Sequence, residues 1–263
     1  MKRVPSLIIM ILAAASAFGI SVNKPFSGLP YIAEGDAEMV KADIRYHEGR
    51  IKAEYSFTTE NSGESAIAFP VLGPVEFPGS FFEEPEILTD DGKIEKIGRL
   101  FDFRIYLGSR ELEYKIEKII PPENLKYEFE FAFVVQINIP QDRSFIISTD
   151  YRQRYSVNSS LSAFEPFDFA ILYSLKTGWA YKNPEILITM KFDVVPGDDE
   201  DSRGSDGEIE VVTHYGMISD PAPAKEETSE GSTVQSWKFE KTFPLKNLYG
   251  GYVMQDIDTP LQR

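Results

Sequence analysis

The two histidines are the first residues of this chain whose chemistry can be tested against a pattern. His47 and His214 stand far apart, and neither has a second histidine within about ten residues. A catalytic base or a zinc site needs partner side chains at fixed spacing. The chain also lacks the Gly-x-Ser-x-Gly, phosphate-loop and His-Glu-x-x-His patterns. The pattern therefore favours surface polar roles for both histidines, and the sequence predicts no catalytic residue.

A calcium site is the second candidate. Counted from Asp199, Asp201 falls at the third position of a calcium-binding loop and Glu210 at the twelfth. Spaced carboxylates are ligands that Ca²⁺ prefers, but Arg203 falls at the fifth position, where a cation would repel the ion. Two interpretations stay open: a calcium site with Asp199, Asp201 and Glu210 as ligands, or a solvated hairpin loop.

Aromatic side chains are the third candidate, because exposed rings can stack on sugars. The chain has 19 Phe, 13 Tyr and two Trp. Most of them alternate with polar residues, which is typical of the core-facing side of strands. Those that stand near predicted turns are candidates for ligand contact, with core or turn packing as the alternative; they include Phe81, Phe82, Trp179 and Tyr181.

Charge and cysteine content exclude several classes of function. The formal net charge is −15, which argues against nucleic acid and anionic lipid as partners, since both need a basic face. There is no cysteine, so disulfides, thiolate metal sites and thiol nucleophiles are excluded. The sequence predicts no cofactor. The 42 Asp and Glu residues could hold a catalytic carboxylate pair, but nothing in the sequence pairs them.

The amino terminus predicts export. Lys2 and Arg3 precede an apolar run from Leu7 to Ala15, and small residues then lead to Ala17. This arrangement is typical of a secretory signal peptide cut after Ala17. The run is too short for a bilayer, which needs roughly 20 apolar residues, and the rest of the chain has no transmembrane segment. The sequence therefore predicts a periplasmic, extracellular or cell-surface protein.

Alternating strands must position any site. A hairpin is predicted over 40–57, and the odd positions of 125–139 are large and apolar without a break. The second half of that long strand is apolar on even positions too, which predicts cover on both of its faces. Many such strands with turn punctuation predict an all-β, antiparallel sandwich of one large or two small lobes, with 125–139 as its spine and little helix.

The same reading divides the chain into segments. The predicted segments are a signal peptide (1–17), an irregular lead-in (18–35), an all-β region (36–252) with an insertion (72–124), a mobile acidic loop (196–207) and a polar linker (219–233), and a carboxyl-terminal tail (253–263).

Several short motifs resemble those of a known family. In chain order they are Tyr55-x-Phe57 followed by Asn61, Ala68-Phe69-Pro70, Arg154-Tyr155, Leu175-x-Thr177-Gly178-Trp179, and Trp237-x-Phe239 before Asn247-Leu248. Together they resemble an uncharacterised family of secreted bacterial all-β proteins, a domain of unknown function. The chain departs from that pattern after Trp179, where Tyr181 to Pro184 intervene. The resemblance implies fold and export, and it transfers no catalytic residue.

These observations predict an exported, non-catalytic binding or structural protein of the bacterial envelope. Its partner would be an envelope protein or a glycan. Two alternatives stay open: a glycan-directed hydrolase built on carboxylates, and an outer-membrane β-barrel, which long alternating strands would also suit.

Overall fold

The structure is a computed structural model. It describes residues 27–61, 63–71, 87–88, 94–95, 100–118, 129, 131–139, 143–153, 156–159, 167–178, 181–194, 199–203, 210–240 and 247–259. These residues form strands almost throughout, and the one helical element among them is a 3-10 turn at Lys176–Gly178. Within this part of the chain, no helix has the length and apolar character that crossing a membrane requires. The predicted signal peptide lies outside the described residues, so its cleavage stays a prediction.

Twenty strands are described. In chain order they are β1 (Ser27–Gly28), β2 (Tyr31–Glu34), β3 (Glu38–His47), β4 (Arg50–Thr58), β5 (Glu64–Val71), β6 (Ile87–Leu88), β7 (Ile94–Glu95), β8 (Leu100–Leu107), β9 (Arg110–Glu111), β10 (Lys115–Lys118), β11 (Phe131–Asn138), β12 (Ser144–Gln153), β13 (Ser156–Ser159), β14 (Phe167–Ser174), β15 (Glu185–Phe192), β16 (Asp199–Arg203), β17 (Glu210–Asp220), β18 (Lys225–Ser229), β19 (Ser232–Phe239) and β20 (Asn247–Thr259).

The strands form two large sheets. The ten-stranded sheet has the order β10-β11-β5-β1-β14-β20-β17-β16, with β2 beside β5 and β13 beside β14. The eight-stranded sheet has the order β18-β19-β15-β3-β4-β12-β8-β9, and β6 pairs with β7 alone. All neighbours are antiparallel except β1 with β14 and β15 with β3. The all-β prediction is confirmed, with the correction that both large sheets are mixed. Strands so far apart in sequence are not joined by a hairpin, which would have made them antiparallel.

Strand alternation explains why the sheets stack. In β4, Ile51, Ala53, Tyr55 and Phe57 are each at most 2% exposed. Every second residue points to the same face of a strand, so the intervening charged residues of β4 face solvent. Burying each large apolar side chain contributes about 1.5–3 kcal/mol to the free energy of folding.

Aromatic contacts join the two inner faces into one core. Phe103 of β8 and Phe133 of β11 have ring centroids 4.4 Å apart, although the two strands belong to different sheets. Tyr55 of β4 and Phe69 of β5 make a similar contact at 5.8 Å. One cluster of buried apolar residues includes side chains from both sheets. Of the two arrangements left open by the sequence, the structure has the single large sandwich.

The predicted spine is shorter and less central than its pattern suggests. β11 covers only Phe131–Asn138 and lies second in the sheet order, between β10 and β5; residues 125–128 lie outside the described part. Cover on both faces is confirmed, since Ala132 is 1% exposed and Val134 is 8% exposed. They pack with Ala66, Ala68 and Phe129 on the face turned away from the main core. Alternation therefore identified the faces correctly within β11, but not for Phe129, which lies before the strand and packs with the even-numbered residues.

Two segments predicted as loop or linker contain strands at the ends of the sheets. Within 196–207, β16 pairs with β17, and within 219–233 the chain completes β17, forms β18 and begins β19. All five residues of β18 are exposed. A strand at a sheet edge needs no apolar face, and charge there discourages pairing with other chains. Composition alone therefore mistook these edge strands for irregular chain.

Three further segment predictions need correction. The predicted insertion over 72–124 contains β8, which lies between β12 and β9, and β10, which pairs with β11. The predicted lead-in contains β1 and β2, and the predicted tail contains the last part of β20. Strands of two to four residues are too short to show a period, and alternation fades where β20 carries acidic residues.

Gly250 lies where the two sheets approach each other closely. A Cβ built on it would lie 2.7 Å from Met190 Sδ and 2.8 Å from Trp237 Cη2, both on the eight-stranded sheet. Carbon atoms in contact prefer about 3.5–4.0 Å, so only glycine fits there without displacing a neighbour. The two sheets are therefore tightly packed at this position.

Candidate functional site

A polar depression lies on the outer face of the eight-stranded sheet. It consists of two adjoining hollows, with volumes of about 280 and 320 Å³, that share Tyr106 and Asp150. We call these two hollows together the outer depression. Its outward-facing charged and hydroxyl side chains come from β3, β4, β12 and β8; they are Asp43, Arg45, Arg50, Lys52, Glu54, Asp102, Arg104, Tyr106, Ser148, Asp150 and Arg152.

Strand register sorts these side chains into rows. Arg104 lies opposite Asp150, Asp150 opposite Lys52, and Lys52 opposite Arg45. Adjacent strands are about 4.8 Å apart, so these four residues form a line across the strands. We call this line the cation row, since three of its four members are positively charged.

The next row along the strands carries negative charge. Tyr106 lies opposite Ser148, Ser148 opposite Glu54, and Glu54 opposite Asp43. We call this line the acid row. It is two residues from the cation row, or about 7 Å along each strand. The outer depression therefore has a positive line and a negative line of side chains next to each other.

Two bidentate ion pairs neutralise part of this charge. Arg45 donates from Nε and Nη2 to the carboxylate oxygens of Asp43 at 3.0 and 2.9 Å. Arg50 donates in the same way to Asp150, at 2.6 and 2.5 Å. The hydrogen bonds from Arg50 hold the pKa of the Asp150 carboxyl below its usual value. Asp43 and Asp150 each therefore bind a neighbouring guanidinium group.

Three charged side chains of the outer depression have no oppositely charged group closer than 4.0 Å among the described residues. Lys52 Nζ is 4.0 Å from Asp150, whose oxygens already accept from Arg50. A side-chain hydrogen bond to Tyr106 raises the pKa of Arg104, and within the described residues no carboxylate lies within 4.0 Å of Arg104. In the same part of the chain, no cation lies within 4.0 Å of the Glu54 carboxylate. Charge of both signs is therefore left over in one depression.

Part of the row arrangement does not favour stability. Arg45 faces Lys52 directly across β3 and β4, and Asp43 faces Glu54 in the same way. Like charges directly opposite each other on neighbouring strands are destabilising, whereas opposite charges contribute roughly 0.2–1 kcal/mol. Asp150 supplies opposite charge to both of its neighbours in the cation row, Arg104 and Lys52. The unfavourable pairs are therefore confined to β3 and β4, where Lys52 and Glu54 lie.

A second cluster of titratable side chains lies at the end of β3. His47 Nε2 is 3.2 Å from Asp193 Oδ2, and one carboxylate oxygen of Glu48 completes a set of three atoms within 4.8 Å of each other. All three residues are exposed, and Lys191 Nζ is 3.4 Å from Asp193 Oδ1. An ion-pair cluster that includes lysine accounts for this geometry. His214 pairs through its backbone with Asp199 in the ten-stranded sheet, whereas His47 belongs to the eight-stranded sheet.

A third polar group lies inside the sandwich. Tyr151 donates to Ser27 Oγ at 3.0 Å, Ser27 donates to Gln153 Oε1 at 2.7 Å, and the hydroxyls of Tyr55 and Tyr173 are 3.0 Å apart. We call these five residues the tyrosine network. Burial raises the pKa of Tyr55 to about 12 and the pKa of Tyr151 and Tyr173 well above the usual value. All five are at most 3% exposed, so the network is structural and not a binding site.

The calcium candidates lie in a hairpin. Asp199 and Asp201 are in β16, and Glu210 begins β17, where it pairs with Arg203 across the sheet. Their side chains lie outside the described part, as do residues 204–209 between the two strands. Calcium binding there stays a prediction.

The aromatic candidates have different outcomes. Phe81, Phe82 and Trp179 lie outside the described residues. Tyr181 is 5% exposed, packs against Phe57, and donates its hydroxyl to the Pro30 carbonyl at 2.9 Å. Its ring therefore belongs to the core, as the packing alternative had it. Tyr106, which the sequence did not single out, is the aromatic residue shared by both hollows of the outer depression, and Tyr151 also lines the second hollow.

Sequence reasoning missed the outer depression because the rows exist only in three dimensions. One local signal was present. Arg50, Lys52 and Glu54 alternate with buried residues and so had to share one face of β4. The partners of that face come from β12 and β8, whose register with β4 no local pattern specifies.

Comparison with known proteins identifies a structure of similar fold but no family. The chain matches no protein-family model and no curated protein. It is similar to the solved structure of a “putative nutrient binding protein” from Legionella pneumophila, with a TM-score of 0.59 and 13% sequence identity. The aligned part covers 87% of this chain and 71% of that one. At this identity the likeness shows a shared fold.

Proposed function

We propose that this chain is an exported, non-catalytic binding protein that holds a small polar solute in the outer depression. The observation that supports the proposal is that one hollow contains a positive and a negative side chain without a close ion-pair partner. Lys52 and Glu54 line the same hollow, while the charges around them are committed to ion pairs. A solute with complementary charge would find Glu54, which has no cation within 4.0 Å among the described residues, and Lys52, whose contact with Asp150 is 4.0 Å long.

Two further features support a small solute. The hollows have volumes of about 280 and 320 Å³, just below and just above the lower limit of about 300 Å³ for small-molecule sites. Tyr106 is half-buried in their shared wall, with the Ser148 hydroxyl next to it. Hydroxyl groups beside charged side chains are the polar groups that orient a bound ligand. The nutrient binding described for the similar Legionella protein is consistent with such a role.

Export rests on the amino-terminal sequence. The basic start, the apolar run and the small residues before position 18 are those of a signal peptide. The resemblance to secreted bacterial proteins agrees with it. We therefore place the binding role outside the cytoplasm, in the periplasm or at the cell surface.

Thermal unfolding with a panel of solutes tests the proposal. The chain without residues 1–17 is heated with glucose, succinate, inorganic phosphate, L-alanine or the dipeptide Ala-Ala. A ligand that binds only the folded state raises the melting temperature, and the stabilisation grows logarithmically with its concentration relative to Kd. We expect at least one solute to raise it, and the Lys52→Gln variant to abolish the rise.

The matched control is Lys115→Gln. Lys115 is also an exposed strand lysine, but it lies in β10 of the other sheet. This variant should respond to the solute like the parent chain. The proposal is wrong if no solute raises the melting temperature, or if Lys52→Gln and Lys115→Gln respond alike.

A further inference from the structure

We infer that the solute is a small zwitterion, of amino-acid to dipeptide size, bound with its carboxylate at Lys52 and its ammonium group at Glu54. This inference rests on the proposed function and adds the chemical class of the ligand. It starts from the placement of the two side chains. Lys52 and Glu54 are two residues apart on β4, point to the same face, and line the same hollow.

The charges of the two rows set the orientation of the solute. On the side of the cation row, Lys52 lies between Arg45 and Asp150, both of which are bound to other partners. On the side of the acid row, Glu54 lies between Asp43, which is bound to Arg45, and the Ser148 hydroxyl. An anionic group is therefore favoured at one end of the hollow, and a cationic group at the other.

The distance between the rows suits a short molecule. Residues two apart on a strand are separated by about 7 Å. An extended dipeptide spans about the same length, since each residue adds at most about 3.6 Å. A free amino acid is shorter, so the ends of the Lys52 and Glu54 side chains would have to approach each other to bind both of its charges. A hollow of about 280 Å³ accommodates either molecule better than a longer chain.

Each end group also relieves a repulsion. The ammonium group of the solute would stand beside Asp43 and Glu54, which face each other across two strands. The carboxylate would stand beside the like-charged pair of Lys52 and Arg45. A dianion would bring no cation to Glu54, and a dication would bring no anion to Lys52. A zwitterion is the simplest solute that neutralises both.

Calorimetric titration with blocked dipeptides tests the inference. The probes are Ala-Ala, N-acetyl-Ala-Ala, Ala-Ala amide, L-alanine and Ala-Ala-Ala, at one low ionic strength because salt screens exposed charges. We expect Ala-Ala to bind at least tenfold more tightly than either blocked form. L-alanine and Ala-Ala-Ala measure the size preference, and tighter binding of Ala-Ala-Ala than of both smaller solutes would overturn the assigned size.

Two variants assign the end groups. Glu54→Gln should bind Ala-Ala and N-acetyl-Ala-Ala equally, because the partner of the ammonium group is gone. Lys52→Gln should bind Ala-Ala and Ala-Ala amide equally, because the partner of the carboxylate is gone. Each variant should keep its discrimination at the other end of the dipeptide. If both variants discriminate as the parent chain does, the assignment is wrong.

The outcomes separate this inference from the proposed function. If glucose, succinate or phosphate binds in the outer depression and no zwitterion does, the proposed function stands and the inference fails. If a blocked dipeptide binds as tightly as Ala-Ala, the inference also fails. If no solute in either panel binds, both are wrong.

Discussion

The inner and outer faces of β4 and β12 both carry polar groups, but these groups differ in how completely they are paired. On the inner face, Tyr55 and Tyr151 belong to the tyrosine network, in which each hydroxyl has a hydrogen-bond partner. On the outer face of the same strands, Lys52 faces Asp150 across the sheet, and Asp150 is already committed to Arg50. Buried polar groups must be paired because water cannot reach them. Exposed charges can remain in surplus, and they are then available to a ligand.

We therefore expect the inner-facing side chains of these strands to affect stability and the outer-facing ones to affect binding. Changes to Tyr55 or Tyr173, which line neither hollow, should alter the free energy of unfolding and leave the outer depression intact. Changes to Lys52 or Glu54 should alter binding and leave the free energy of unfolding almost unchanged. Four predictions test this separation, beginning with the largest expected change in stability.

Tyr173→Ala should destabilise the chain most. Tyr173 is 1% exposed, and its removal leaves a cavity and takes a hydrogen-bond partner from Tyr55. Truncating a large buried aromatic side chain costs about 3–5 kcal/mol. Urea unfolding followed by tryptophan fluorescence measures the loss. A loss below about 1 kcal/mol would mean that the two sheets are not packed against each other at this point.

Alkaline pH should destabilise the chain through the same network. Burial raises the pKa of Tyr55 from 10.0 to about 12, so between these values the unfolded chain loses a proton that the folded chain keeps. Stability therefore falls as pH rises above 10, and the contribution of Tyr55 is lost completely above 12. A difference of two pKa units corresponds to roughly 3 kcal/mol. Tyr151 and Tyr173 add to the loss in the same direction.

Urea unfolding at several values of pH between 9 and 12, spanning the range from about one unit below the usual tyrosine pKa upwards, measures this loss. Tyr55→Phe is the control, and its stability should fall less steeply over that range. Equal slopes for the two proteins would contradict the assignment of the loss to Tyr55.

At neutral pH, Tyr55→Phe should have a moderate effect. The ring stays in the core, and the hydroxyl contact with Tyr173 is lost. A hydrogen bond of this kind contributes about 1 kcal/mol net. The double variant with Tyr173→Phe measures the coupling. It should cost less than the sum of the two single changes, since the second change no longer leaves a hydroxyl unpaired. Strictly additive costs would show that the two hydroxyls do not interact.

Lys52→Gln and Glu54→Gln should have the smallest effect on stability. Neither side chain is committed to a close ion pair, and exposed substitutions of this kind change the free energy of unfolding by about 0.5 kcal/mol or less. Urea unfolding of both variants checks this. A loss above about 1 kcal/mol in either would show that the two charges serve the fold, which would remove the reason to regard them as a site.

The fold class could be predicted from the sequence because strand alternation is a local property. The buried positions of β4 and β15 follow directly from residues such as Ile51 and Ile186, each of which alternates with a polar neighbour. The parallel pairing of β15 with β3 could not be predicted, because it joins residues more than 140 positions apart. Edge strands such as β18 were missed because they need no apolar face.

The candidate site was harder to predict than the fold. Its charges are ordinary Lys, Arg, Asp and Glu residues in an acidic chain, and no motif distinguishes Lys52 from other lysines. Lys52 and Asp150 come together only when β4 and β12 are in register. The cluster of His47 and Asp193 was hidden for the same reason, since 146 residues separate the two. Spacing along the chain identifies sites built on one element, and these sites are built across several.

We propose that the ligand binds at the outer face of the eight-stranded sheet. Amide chemical shifts recorded by NMR during a titration with Ala-Ala test it residue by residue. We predict that the largest changes fall in 43–54, 104–106 and 148–150, which contain the two rows of the outer depression. Changes centred on the ten-stranded sheet would contradict the claim, and so would the absence of any change at saturating dipeptide.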